Sequence, residues 1–166
     1  PSLAEVVRDI NKFSNNVMAD QLFLTLGLQQ RGLGNAANSK AVVDAWWRER
    51  FGQEPPTMDK GSGLSREARI SPQALAALLQ WVWLQPFMPE MMSSLPLTGV
   101  DGTMKRSKST ASAHLKTGSL RDVMGVAGYV DAAQGQRYVL VAMVNHANAY
   151  QARPVIDALI DWTAGK

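Results

Sequence analysis

Four consecutive residues, Lys116-Thr117-Gly118-Ser119, combine a cation, two hydroxyls and a glycine in one short run. An ammonium group is a compact charge with three donors, and the neighbouring hydroxyls add directional donors. Glycine lets the backbone of a ligand approach a strand closely. These residue types predict a site for a carboxylate, and an outward-facing Ser119 N–H would also be placed to donate to a developing oxyanion. The tripeptide Lys-Thr-Gly recurs by chance, so the prediction depends on the rest of the chain.

The composition predicts one globular domain. The chain has 166 residues, 46% of them hydrophobic and 19% charged, with a formal net charge of +3. A domain of ~150 residues hides about two-thirds of its unfolded surface, which is enough for a sizeable core. The basic run Lys105-Arg106-Ser107-Lys108 lacks interleaved aromatic residues, so we interpret it as a solvated loop and expect no nucleic acid partner.

Neither a metal nor another cofactor is predicted. The chain has no cysteine, and two histidines, His114 and His146, are too few for a typical catalytic zinc site without carboxylate help. It also lacks a run of about 18 apolar residues, so we expect no transmembrane segment. The chain starts at Pro1 without an initiating methionine or a signal peptide, and we expect it to be part of something longer.

The first 27 residues predict two helices joined by a polar turn. Ser2 and Glu5 have the spacing of a capping box, which predicts a helix at the start of the chain. Ser14-Asn15-Asn16 predicts an interhelical turn, and an apolar helix at 17–26 follows, which Gly27 can close. Helix capping alone accounts for the small polar side chains of such a turn, so the turn by itself indicates no function.

Two further helices are predicted between irregular segments. Ser39 is expected to cap a helix from residue 40 to Phe51, and Ser71-Pro72 opens a helix at 73–83. Residues 59–66 form a glycine-serine loop that lacks the preceding strand and the Lys-Ser/Thr ending of a phosphate-binding loop. The proline-rich and glycine-rich residues 88–103 are expected to be irregular, with a helical turn near 90–94.

From residue 113 onward the pattern predicts strands. They are expected at 113–120, 123–131 and 136–145, with a hairpin turn at 133–135. Residues 138–144 are apolar at every position, which predicts a strand covered on both faces. A last helix begins at Arg153-Pro154, and its spacing predicts that one face lies on the sheet: Val155, Ile156, Leu159, Ile160 and Trp162.

The fold class is therefore α/β, of the α+β type. Residues 1–112 are mainly helical, and residues 113–166 supply antiparallel strands and a terminal helix. This fold is incomplete by itself, because a strand covered on both faces needs further neighbours beside it.

Three features together resemble the penicillin-binding protein and serine β-lactamase superfamily: Ser14-x-Asn16 on a turn, Lys-Thr-Gly at 116–118 on a strand, and a strand-strand-helix C-terminus. The signatures of that superfamily are S-x-x-K, S-x-N and K-T-G. More narrowly, four stretches resemble the D-alanyl-D-alanine carboxypeptidase/endopeptidases called class C low-molecular-mass penicillin-binding proteins: FSNNVMADQLFLTLG, DKGSGLSREARISP, LPLTGVDGTMKR and HLKTGSL.

The resemblance implies a partial serine β-lactamase/DD-peptidase-like fold. Residues 1–166 would be the C-terminal portion of one transpeptidase-like catalytic domain. No S-x-x-K occurs among them, so the resemblance places the nucleophile in a remaining N-terminal part of the same protein. We accordingly expect the 166 residues alone neither to hydrolyse substrate nor to react covalently with penicillin.

The resemblance also implies the reaction and the site residues. A periplasmic enzyme would act on peptidoglycan stem peptides ending in D-Ala-D-Ala through an acyl-enzyme, and β-lactams would acylate the same serine. Ser14 would relay a proton to the leaving amine, and Asn16 would hold the substrate amide. Lys116 would keep the local potential positive, and Thr117 and Ser119 would bind the terminal carboxylate beside Gly118.

Two other functions stay open on the sequence. The missing nucleophile favours a non-catalytic module that binds peptidoglycan peptides or a partner protein. A serine β-lactamase would need fast deacylation, for which no acidic residue stands on a recognisable motif. His114 shares the strand face of Lys116 and could modulate it, although an ordinary strand histidine is the simpler interpretation. His146 is interpreted as loop structure, and the 59–66 loop has no assigned role.

Overall fold

The computed structural model describes residues 1–166 and contains six α-helices and a three-stranded antiparallel sheet. The helices are α1 (Leu3–Phe13), α2 (Asn16–Arg31), α3 (Ala36–Phe51), α4 (Pro72–Trp83), α5 (Met88–Ser94) and α6 (Arg153–Ala164), and the strands are β1 (Ala113–Leu120), β2 (Val123–Asp131) and β3 (Arg137–Asn145). Two compact units form, one from residues 1–14 and 72–166 and the other from residues 15–71. None of the helices combines the length and the hydrophobicity that crossing a membrane requires.

The sheet lies in the first unit, in the order β1-β2-β3. The β1–β2 register runs from Ala113↔Val130 to Leu120↔Val123, and β2 pairs with β3 in the same antiparallel sense. The predicted bounds of the first two strands are confirmed, and the third strand begins one residue later than predicted. Because the order places β1 at an edge, the Lys116–Ser119 run lies on an edge strand.

Helices cover both faces of this sheet. On one face, Ile156 and Ile160 of α6 pack into a core with Leu115 and Leu140. On the other face, Leu79 of α4 packs with Tyr129, and Val139 and Val141 join that cluster. The prediction that both faces of the third strand are covered is therefore confirmed.

The predicted sheet-facing side of α6 is partly wrong. Ile156 and Ile160 are buried, but Val155 and Trp162 are 68% and 62% exposed. Residues three and four apart share a helix face, so a stripe centred on 156 and 160 leaves positions 155 and 162 on the side of the helix away from the sheet. Apolar character alone did not distinguish the two sides.

In the second unit, α2 packs against α3 through small residues. An added Cβ at Gly27 would lie 2.6 Å from Ser39 Oγ, and Ser39 is fully buried. The predictions that Gly27 closes α2 and that Ser39 caps α3 are therefore wrong, because both residues lie inside helices where their size permits close contact. The caps are Gly32 (φ 76°), which ends α2, and Asn35, whose side chain accepts from Asn38 N.

The remaining helical predictions are close to the structure. The capping box at the start of α1 forms, with Ser2 N donating to Glu5 Oε2 at 2.7 Å. Helix α4 begins at Pro72 and ends at Trp83. Helix α5 extends the predicted turn near 90–94 toward its N-terminus.

Candidate active site

Ser14 lies at the C-cap of α1 in the left-handed conformation, with φ 52° and ψ 48°. Its N–H donates to Ile10 O, which closes the last turn. A left-handed conformation costs an L-residue roughly 1–2 kcal/mol, and glycine usually fills this position. Asp122 is the other non-glycine residue with positive φ. The hydroxyl of a serine in this conformation is therefore a candidate for a function that glycine could not serve.

The Lys116 ammonium is that hydroxyl's partner. Lys116 Nζ lies 3.0 Å from Ser14 Oγ and 3.0 Å from Thr117 O, across a separation of 102 positions along the chain. An ammonium has three N–H groups, so two are engaged and one is left for a ligand. The side chain is part-buried, and this desolvation lowers the pKa of Lys116 below its ordinary value.

The backbone of β1 presents N–H and C=O groups on its free edge, beside Ser14 and Lys116. Leu115 N donates to Pro96 O at 2.8 Å, on the side of β1 away from β2. Backbone groups alternate along a strand, so the N–H and C=O of Thr117 and Ser119 also point away from β2. This is the orientation that an oxyanion donor at Ser119 requires.

The edge also explains how Lys116 and Thr117 reach one site. Alternation sends their side chains to opposite faces of the sheet. The Lys116 side chain is long enough to bend over the edge, where its ammonium meets the outward carbonyl of Thr117. The Thr117 hydroxyl stays on the face of α6 and contacts Thr103, with 2.7 Å between the two Oγ1 atoms.

A cavity of about 310 Å³ adjoins this edge. An added Cβ at Gly118 would meet no atom within 4 Å, so the backbone is accessible there. The lining residues come from the turn after α1, the loop before β1, the two strands and the first turns of α6; they include Ser14, Thr103, Arg106, Thr117, Ser119, Val126, Arg153 and Asp157.

One loop ties α1 and β1 together. Lys12 Nζ donates to Leu95 O at 2.7 Å and to Asp101 Oδ2 at 2.6 Å. Asp101 Oδ1 accepts from Leu97 N at 2.8 Å, and Leu97 forms a β-bridge with His114 of β1. Desolvation opposes ionisation of Asp101, but the hydrogen bonds from Lys12 and Leu97 lower its pKa on balance. These contacts fix the end of α1, and hence Ser14, relative to β1.

Asn16 is held within the second unit, two positions after Ser14 in the chain. Its Nδ2 donates to Ser62 O at 2.6 Å. The loop that supplies this carbonyl is anchored on α2, because Gly61 N donates to Asp20 Oδ1 at 2.8 Å. The hydrogen bond from Ser65 lowers the pKa of Asp59 in the same loop. Residues 59–66 therefore orient the Asn16 carboxamide, a role that the sequence did not reveal, while the part of Asn16 in catalysis stays a prediction.

The two histidines take no part in this arrangement. His114 is half-buried, its Nδ1 has no hydrogen-bond partner, and burial lowers its pKa against the opposing effect of Asp131. No hydrogen bond joins it to Lys116. His146 Nδ1 accepts from Asn148 N at 3.0 Å in a loop, as predicted. No group of three or more histidine and carboxylate side chains is placed to hold a metal ion.

Several residues around the site carry no functional signal in the sequence. Lys12 and Asp101 lie 89 positions apart, and neither belongs to a motif with an assigned chemistry. Thr103 lies in the stretch LPLTGVDGTMKR, which carried part of the family resemblance, but nothing in that stretch indicates its contact with Thr117. Arg106 is exposed in a loop, as predicted, but the sequence does not indicate that it also lines the cavity.

Known proteins resemble this chain over most of its length. It is 28% identical over 153 residues to the D-alanyl-D-alanine carboxypeptidase DacB of Haemophilus influenzae, a match that covers 86% of this chain and 32% of that protein. The chain thus spans about a third of the length of this curated relative.

Two solved structures show the fold. Penicillin binding protein 4 from Haemophilus influenzae, in complex with a novel β-lactam, gives a TM-score of 0.81 at 22% identity over 96% of this chain and 40% of that chain. A representative class A β-lactamase from Bacteroides cellulosilyticus gives a TM-score of 0.65 at 19% identity over 99% of this chain and 65% of that chain. The predicted serine β-lactamase/DD-peptidase-like fold is confirmed. Residues 1–166 match the D-Ala-D-Ala carboxypeptidase 3 (S13) family throughout, and the chain belongs to that family.

Proposed function

We propose that the complete protein is a periplasmic serine-type D-Ala-D-Ala carboxypeptidase or endopeptidase that acts on peptidoglycan stem peptides. The observation that carries this proposal is the 3.0 Å contact between Lys116 Nζ and Ser14 Oγ beside an open strand edge, in a member of the S13 family. That edge offers a cation, hydroxyls and outward N–H groups to a peptide ending in a carboxylate.

Ser14 is the proton relay in this proposal. An ammonium can only donate, so Ser14 Oγ accepts from Lys116 and its own O–H is free to donate elsewhere. The nucleophilic serine forms an ester with the D-Ala carbonyl, the C–N bond breaks, and the leaving nitrogen takes the proton delivered through Ser14. Ser14 regains a proton from the nucleophile side, and water later hydrolyses the ester. The cation beside Ser14 disfavours a second positive charge and so favours proton delivery.

The strand edge binds the substrate in this proposal. The third N–H of Lys116 and the hydroxyls of Thr117 and Ser119 bind the terminal carboxylate, and charge-assisted hydrogen bonds of this kind are the strong ones. The Ser119 N–H donates to the oxyanion, an interaction worth about 3 kcal/mol in the transition state. The open space at Gly118 lets the substrate backbone approach, and Asn16 binds the substrate amide.

The nucleophile is assigned to another part of the same catalytic domain, because the 166 residues contain no S-x-x-K. Residues 1–166 are then the C-terminal portion of that domain. It follows that the isolated 166 residues should give no covalent adduct with penicillin. Intact mass spectrometry tests this directly, and a stoichiometric adduct would contradict the assignment.

Labelled penicillin tests the roles in the complete protein. Ser14→Ala and Lys116→Ala should each slow acylation by roughly 10²-fold or more, since each removes a group that acts in the transition state. Lys105→Ala is the matched control, because Lys105 is exposed and does not line the cavity. Unchanged labelling in both site variants would refute the assigned roles.

A non-catalytic binding module is the second candidate, favoured by the absence of S-x-x-K from these residues. Calorimetric titration of the complete protein with a D-Ala-D-Ala peptide, followed by analysis for free D-Ala, separates the two functions. Binding without release supports the module. A serine β-lactamase would instead hydrolyse penicillin with many turnovers, so persistence of the labelled acyl-enzyme distinguishes it from the peptidase.

A further inference from the structure

The cavity beside β1 is larger than a terminal carboxylate needs. Its volume is about 310 Å³, at the lower end of the ~300–1,000 Å³ range of sites that hold whole small ligands. Thr117 and Ser119 form one wall, so the space continues directly from the proposed carboxylate site. A substituent that extends from the carboxylate-bearing residue toward the face of α6 would therefore enter the cavity.

The cavity is lined by buried apolar side chains and by two arginines that have no ion-pair partner. Met104, Met124 and Ile156 are buried side chains that line it. Arg106 and Arg153 also line it, both are exposed, and neither forms an ion pair or a hydrogen bond. Both guanidinium groups are therefore available to an anion that enters the cavity.

The one carboxylate in the cavity wall is already engaged by the adjacent loop. Asp157 Oδ1 accepts from Ser107 Oγ at 2.6 Å, and Asp157 Oδ2 accepts from Lys108 N at 3.0 Å. Asp157 is buried and fixes the loop that carries Arg106 onto α6, which carries Arg153. The loop contact thus sets the two arginines on one cavity while leaving both guanidinium groups without an anion.

We propose that this cavity binds the side chain of the leaving residue and that Arg106 and Arg153 bind a second carboxylate at the end of that side chain. The inference rests on the proposed function. Methylene groups would lie against the buried apolar side chains, and a guanidinium pairs with a carboxylate through two parallel hydrogen bonds. The preferred substrate class is then a peptide whose leaving residue is an acidic D-amino acid, or a cross-link whose leaving arm carries a second carboxylate.

Three peptides that differ only in the leaving residue test this inference on the complete protein. They end in D-Ala-D-Ala, D-Ala-D-Gln and D-Ala-D-Glu, so the last two differ in charge at nearly equal size. The wild type should cleave the D-Glu peptide with a kcat/KM about tenfold or more above that of the D-Gln peptide. Arg106→Gln and Arg153→Gln should each reduce this ratio by about tenfold or abolish it. Lys105→Gln is the matched control, which removes the neighbouring positive charge outside the cavity.

The outcomes separate the inference from the proposed function. An equal fall in kcat/KM for all three peptides would mean that the arginines serve the first carboxylate, and an unchanged ratio in both variants would also overturn the inference. If the wild type cleaves no peptide and takes no penicillin label, the proposed function fails instead. In that case, calorimetric titration still compares the affinities of the wild type and the arginine variants for the D-Gln and D-Glu peptides. Loss of the wild type's preference for D-Glu in those variants alone supports the cavity assignment without turnover.

Discussion

Ser14 offers a test in which stability and activity should change in different ways. Ser14→Ala and Ser14→Gly both remove the hydroxyl that accepts from Lys116 Nζ at 3.0 Å. Only the glycine variant also relieves the left-handed conformation at φ 52°. Both variants therefore lose the hydrogen bond, and only Ser14→Gly also loses the backbone strain.

The difference in stability follows from the backbone. The left-handed conformation costs alanine roughly 1–2 kcal/mol, whereas glycine adopts it freely. Glycine also gains about 0.5–1 kcal/mol of conformational freedom in the unfolded chain, which opposes folding. The net expectation is that Ser14→Gly is more stable than Ser14→Ala, by up to about 1.5 kcal/mol. The hydrogen bond from the charged lysine, worth about 1.5–3 kcal/mol, is lost equally from both.

Urea denaturation and penicillin acylation of the complete protein measure the two effects separately. We expect the glycine variant to have the higher free energy of unfolding, and both variants to be acylated at the same low rate. Asp122→Ala and Asp122→Gly provide a control pair, because Asp122 also has positive φ, at 66°, but does not line the cavity. That pair should show the same stability order with acylation unaffected. A glycine variant of Ser14 that is less stable than its alanine counterpart, or that is acylated as fast as the wild type, would refute this reasoning.

Four further substitutions test other parts of the structure. Burial lowers the pKa of Lys116, so the unfolded chain binds more protons than the folded one between that lowered pKa and about 10.4. The wild type should therefore gain stability relative to Lys116→Met as pH rises through this window. Urea denaturation at a series of pH values measures this difference in the free energy of unfolding. Burial raises the pKa of Tyr129 to about 12, so the wild type should lose stability relative to Tyr129→Phe as pH rises from about 10 to 12. At neutral pH that substitution should cost about 1 kcal/mol, because it removes the 2.8 Å hydrogen bond from Tyr129 to Leu79 O. Gly128→Ala should strongly destabilise the protein in thermal unfolding, because its Cβ would lie 2.0 Å from His114 O. Gly118→Ala should instead fold normally and slow acylation. Normal stability of Gly128→Ala, or full activity of Gly118→Ala, would contradict the contacts described.

The strands were predictable because their signals are local. Apolar residues, turn residues and the hairpin spacing all lie within a few positions of each strand, and they fixed the bounds of β1 and β2. Helices α2 and α3 instead end and begin at Gly32 and Asn35, whereas Gly27 and Ser39 make a packing contact between the two helices. A small residue that permits helices to approach has the same sequence signature as a residue that ends or caps one, so only the packing distinguishes them.

The site was predictable in its residue types but not in its geometry. The motif resemblance named Ser14 and Lys116, whereas strand alternation placed Lys116 on the face opposite Thr117. The open edge of β1 resolves this, because a long side chain can bend over it. The supporting contact between Lys12 and Asp101 spans 89 positions and has no periodic signal, so it could be found only from the structure.

Three locally unfavourable features meet at this edge. Ser14 adopts a backbone conformation that glycine would adopt more easily, Lys116 carries its charge into a part-buried position, and β1 leaves backbone groups unpaired beyond Leu115. Each lowers stability or invites aggregation, and each could be removed by a single substitution or a longer covering segment. Structural need alone does not account for their coincidence within hydrogen-bonding distance. A ligand that supplies an anion to the lysine and a strand to the edge would relieve two of them on binding, which is the behaviour expected of a peptide with a terminal carboxylate.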